Sequence, residues 1–179
     1  MKQSKQAANK AAEKVGEEVK HSKGEEYLDL ANKALKGNLS IKGLAGVSDE
    51  KEEAIYGQAY LLYNTGRYKE AAEIFRVLIT VNSTEPKYMM GLAACFHMMK
   101  EYEAAMSSYT MCTFIDPESP VPHFHLSDCY LQLGDDISAV NSLKSAIKRC
   151  ENKPEFKTLR EKSEITLRGL EKEGMQEKK

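Results

Sequence analysis

The residues able to do chemistry are few, and their spacing argues against catalysis. The cysteines are Cys95, Cys112, Cys129 and Cys150. None lies in a C-x-x-C pair, so neither a zinc site nor a dithiol redox centre is set up locally. They are expected to be reduced, partly buried thiols that pack as small hydrophobic side chains. The one close histidine pair is His123-Phe124-His125. Residues two apart on a helix point to different faces and do not converge on one metal. No Gly-rich phosphate loop and no Ser-His-Asp set is visible, and the carboxylates are spread as solvated helix faces. These features predict a protein that is not an enzyme and that uses no metal or cofactor.

The elements that position the remaining side chains follow from an internal repeat. Rows of 34 residues begun at Glu52, Pro86 and Pro120 register without a gap. The eighth position holds Ala59, Ala93 and Ser127, and the eleventh Leu62, Phe96 and Tyr130. Position twenty holds Ala71, Ala105 and Ala139, position twenty-four Phe75, Tyr109 and Leu143, and position twenty-seven Leu78, Cys112 and Ala146. Small residues stand where two helices touch and larger ones where a pair packs on the next. This resembles the tetratricopeptide repeat. The resemblance implies an all-α fold: three repeats (52–85, 86–119, 120–153) in a concave right-handed superhelix. Lys100 in place of a turn glycine, and Asp136 in place of an aromatic, are expected to soften individual turns.

The first helix is expected to run to about Asn64, and the others to lie at about 68–81, 86–98, 102–114, 120–132 and 136–150. Ser48 or Asp49 caps the first, with Glu52 completing a capping box. Prolines at 86 and 120 restart the chain after each pair, because proline is tolerated in a first helical turn but not in mid-helix. Residues 48–153 thus form the repeats. Residues 154–179 form a capping helix, about 155–172, and a charged tail, with Phe156, Leu159, Ile165, Leu167 and Leu170 available to cover the apolar end of the stack. Residues 1–24 are a charged arm of Ala, Lys, Glu and Gln with little to bury. Residues 25–47 carry a short amphipathic helix and a linker.

Composition narrows the class. Hydrophobic residues make up 41% and charged residues 30%, which is enough apolar surface for a folded core. Twenty-six basic against 27 acidic residues leave no cationic surplus for nucleic acid. No apolar run approaches the roughly 20 residues that span a bilayer, and the first residues lack the apolar core of a secretory signal. A cytoplasmic protein is expected.

In the tetratricopeptide fold, positions 2, 5, 9, 12 and 13 of each first helix line the concave face. Row one places Glu53, Tyr56, Tyr60, Tyr63 and Asn64 there. Row two places Lys87, Met90, Ala94, His97 and Met98, and row three Val121, Phe124, Asp128, Leu131 and Gln132. Six of the eight methionines lie between Met89 and Met111. Tyrosine offers rigid apolar area with a polar tip, and methionine adapts to varied shapes. The set predicts an apolar groove for a peptide rather than core packing. A clamp for an acidic C-terminus needs clustered basic donors, and only Lys87 and Asn64 qualify.

Three stretches, GVSDEKEEAIYGQAYLLYNTGRYKEAAEIF, YMMGLAACFHMMKEYEAAMSSY and PHFHLSDCYLQLGD, followed by NKPEFKTLREKSEITL, resemble the class II chaperones of bacterial type III secretion, of the SycD/LcrH/IpgC kind. The lysine-rich arm is longer than in the shortest members and resembles the chlamydial versions more. The resemblance covers about residues 39–173. It implies a cytosolic chaperone that binds two hydrophobic translocator proteins through an extended Pro/Val-x-Leu-x-x-Pro segment and keeps them soluble, unassembled and protected from proteolysis. The family's groove residues fall on Tyr56, Tyr60, Tyr63, Met90, Ala94, His97, Phe124 and Asp128. The resemblance also implies a homodimer through Tyr27, Leu28, Leu35, Leu39 and Ile41, although the same segment can fold back on its own first repeat. Some relatives act with a transcriptional regulator after cargo has left. A generic scaffold joining two folded proteins is the competing reading.

Overall fold

The computed structural model describes residues 47–176. The expected arm, the expected dimer segment with Tyr27, Leu28, Leu35, Leu39 and Ile41, and the extreme C-terminus lie outside the described residues. Among the described residues there are seven α-helices: α1 Asp49–Asn64, α2 Tyr68–Val81, α3 Pro86–Met98, α4 Tyr102–Ile115, α5 Val121–Gln132, α6 Asp136–Arg149 and α7 Lys157–Gln176. A single 3-10 turn, Pro154–Phe156, leads into α7. Each helix packs mainly on its chain neighbours, so the described part is a stack of three helix pairs closed by α7. None of the described helices is long and apolar enough to cross a membrane.

The repeat register carries through to hydrogen bonds. The turn inside each pair closes with the same bond in every row: Arg67 N–H to Leu62 O, Glu101 N–H to Phe96 O and Asp135 N–H to Tyr130 O, each 2.9 Å. This long-range closure leaves one residue in the left-handed region. Gly66 and Gly134 supply it at φ 78° and 76°. Lys100 takes the same conformation at φ 61°, so the second turn keeps its geometry despite the missing glycine.

Of the two cap candidates the structure selects one, and it places Glu52 differently from the expected surface position. Ser48, not Asp49, caps α1, its hydroxyl accepting the Lys51 N–H at 3.3 Å. Glu52 is not a surface residue. It is buried, accepting the Tyr88 hydroxyl at 2.7 Å and the Asn82 amide at 3.0 Å, and so ties the first repeat to the second. A buried carboxylate is tolerated only with such donors.

The alanines at 71, 105 and 139 are fully buried, as are Ala59 and Ala93. Phe75, Tyr109 and Leu143 fill the space beside them. All four cysteines are free and buried. Burial pushes the thiols of Cys95 and Cys129 up to about 11 and that of Cys112 to about 12. In α7, Ile165 is exposed rather than covering the stack, while Ser163 is fully buried with its hydroxyl donating to Leu159 O. A serine that returns its hydrogen bond to its own helix can be buried where a branched side chain would not fit.

Candidate concave binding groove

The first helices of the three repeats, α1, α3 and α5, present their groove positions in sequence order. Between them lies a cavity of about 480 Å³. Five of the ten sequence-nominated residues line it: Tyr63 from α1, Ala94 and His97 from α3, and Phe124 and Asp128 from α5. Met98 and Leu131, from the same set of register positions, join them.

The other five sit apart. Tyr56 and Tyr60 stack at 6.3 Å between ring centroids, and Tyr60 is more than half exposed. Lys87 Nζ lies 4.5 Å above the Tyr56 ring and 2.6 Å from a Glu53 carboxylate oxygen, a cation–π contact and an ion pair together. The hydrogen bond that Lys87 donates to Glu53 holds its ammonium above its usual range. Asn64 is exposed at the end of α1, and Met90 is half-buried. Tyr56, Tyr63 and Met90 pack against the core clusters as well as facing outward, so the groove wall and the core share side chains.

Four cavity residues were not legible as such in the sequence: Tyr109, His125, Ser127 and Thr166. Tyr109 carries a core signal at position twenty-four, yet its ring stacks on His125 at 5.1 Å and forms the cavity floor. His125 stands where rows one and two carry Gly57 and Gly91, and that substitution was the available clue. Thr166 comes from α7, outside the repeat register.

His97 makes the main polar contacts at the cavity edge. His97 Nε2 lies 2.7 Å from Asp128 Oδ2, and its Nδ1 lies 3.7 Å from the Cys129 thiol. The His97 ring also meets Tyr102, Tyr109 and His125 edge-on. Burial lowers the His125 pKa, with His97 adding to the effect. Burial likewise raises the phenols of Tyr63 and Tyr109. Among the described residues no group of three or more His, Cys, Asp or Glu side chains could hold a metal ion. The cavity is suited to holding apolar side chains beside a small polar edge.

Tetratricopeptide repeat models match residues 53–81, 86–118 and 122–153. The chain is 32% identical over 135 residues to the low calcium response locus protein H of Yersinia pseudotuberculosis, covering 75% of this chain and 80% of that protein. Its fold is similar to the Yersinia enterocolitica type III secretion chaperone SycD in complex with a peptide of the translocator YopD. That structure is 30% identical with a TM-score of 0.69, over 72% of this chain and 98% of the other. It is also similar to PcrH of Pseudomonas aeruginosa in complex with the chaperone-binding region of PopD, at 28% identity and a TM-score of 0.70, over 72% and 97% of the two chains. PcrH has further been solved with the corresponding region of PopB.

Proposed function

The chain belongs to the class II translocator chaperones of bacterial type III secretion, and from that premise we propose that its concave face holds an extended segment of a hydrophobic translocator. Holding that segment keeps the cargo soluble and unassembled in the bacterial cytosol until export. The observation that carries this reading is the cavity between α1, α3 and α5, walled by Tyr63, Met98, Phe124 and Leu131, residues at register positions assigned to ligand. The scaffold alternative needs clustered basic donors for a charged motif. The one lysine on this face, Lys87, is already paired with Glu53.

Apolar anchors supply the affinity. Each fully buried leucine or proline side chain contributes roughly 1.5–3 kcal/mol. Three anchors, less the cost of ordering the peptide, give about −8 kcal/mol, or micromolar binding. That strength suits a cargo that has to be released. The test is a titration of a fluorescent Pro/Val-x-Leu-x-x-Pro peptide against wild type, a Tyr60→Ala, Met90→Glu double variant, and Phe124→Ser. Saturable micromolar binding that is lost in folded variants supports the reading. Wild-type protein that does not bind the peptide overturns it.

Homodimerisation through Tyr27, Leu28, Leu35, Leu39 and Ile41 belongs to the same proposal. Sedimentation of wild type and Leu28→Asp at matched concentration tests it, with monomer mass in both ending the dimer.

A further inference from the structure

The concave face is nearly neutral, and its one unbalanced charge lies inside the cavity. Among the fifteen groove positions, five in each of three rows, the charged residues are Glu53, Lys87 and Asp128. Glu53 and Lys87 neutralise each other at 2.6 Å. Asp128 has no lysine or arginine partner among the described residues, and its side chain is 44% exposed to the cavity mouth.

The neighbouring groups orient that carboxylate. His97 approaches Asp128 through Nε2, so Nε2–H donates to the carboxylate. Nδ1 then faces a thiol that burial keeps protonated, and S–H can donate to it. His125 is kept neutral by burial, and so are the phenols of Tyr63 and Tyr109. One oxygen of Asp128 is therefore engaged by His97, and the other is available to a ligand. Phe124 and Tyr63 present aromatic surface on the same cavity.

A carboxylate beside aromatic walls recognises a cation on an apolar stem, because the stem packs on the rings while the head reaches the acid. We propose that Asp128 makes this cavity a specificity subsite for a lysine or arginine side chain of the cargo, next to its apolar anchors. The inference rests on the groove reading above and adds to it the charge class of the bound segment. Asp128 acts through contact with the ligand, and His97 fixes the orientation of the carboxylate.

The experiment uses the full chain and Pro-x-Leu-x-x-Pro peptides carrying a single lysine, glutamine or glutamate at each x in turn. Binding is measured at low and high salt to wild type and to Asp128→Asn, a near-isosteric change that keeps an acceptor for His97. At one x, wild type is expected to bind the lysine peptide roughly fivefold more tightly than the glutamate peptide, the scale of a partly exposed ion pair. The preference should shrink at high salt and vanish in Asp128→Asn. A lysine preference that survives unchanged in Asp128→Asn, or no preference at any x in wild type, overturns the inference and leaves the groove reading standing. Failure of all the peptides to bind overturns both.

Discussion

The two junctions between repeats are built on one register and have become different things. At the first, Phe75 of α2 lies over Gly91 of α3, where a Cβ would come within 2.4 Å of the ring. Beside it the buried Glu52 gathers Tyr88 and Asn82. At the second, 34 residues on, Tyr109 stacks on His125, and the polar pair is His97 with Asp128 at the cavity edge. The first junction is closed by aromatic-on-glycine contact. The second has a side chain in place of the glycine, and a cavity lies beside it. The same repeat geometry thus yields a clasp at one step and a binding site at the next, according to what occupies its sixth position.

Breaking the first junction should have the largest effect. Phe75→Ala empties a fully packed site and is expected to cost about 3–5 kcal/mol, read as a lower midpoint in chemical denaturation. The glycines sharpen the contrast further. Gly91→Ala drives a methyl group into a buried ring and should destabilise by about 1–3 kcal/mol. Gly57→Ala, at the equivalent position of row one, meets nothing within 4 Å and should stabilise by about 0.5–1 kcal/mol. Equal effects of the two substitutions would refute the account of the clasp.

Acid should act on the second junction. Burial depresses the pKa values of His125 and His123 in the folded protein. The unfolded chain therefore binds more protons at mildly acidic pH, and stability falls as pH drops through the ordinary histidine range near 6.5 towards the depressed values. Thermal melts between pH 7.5 and 5.5 should show this slope, and His125→Gln should reduce it. An unchanged slope in the variant would remove His125 from the account. The smallest effect is expected at the turn of the second repeat. Lys100→Gly relieves a left-handed backbone, at some cost in unfolded-chain entropy, for a gain of about 0.5–1 kcal/mol. Melting the pair of proteins side by side checks it.

Much of the fold was legible in the sequence, because a repeat states its core several times over. Ala71, Ala105 and Ala139 share a position, and all three are fully buried. Helix ends followed from Pro86 and from the turn glycines, and agree with the structure to within a residue or two across the repeats. The groove was legible only in part. Tyr63, Ala94, His97, Phe124 and Asp128 meet at the cavity, whereas Tyr56, Tyr60 and Lys87 form a separate patch beside Glu53. Register fixes which face a residue presents but not how far its side chain reaches or what it meets there.

What the sequence determined by itself was the helical register, the paired topology and the absence of a local catalytic motif. These rest on short-range periodicity and on backbone rules that act within one or two turns. Only the tertiary structure decided that Glu52 is a buried tether, that Tyr109 and His125 floor a cavity, and that Thr166 of α7 closes it. Such pairings join residues on separate helices, and close packing settles them through the volume each neighbour leaves, which no local pattern records.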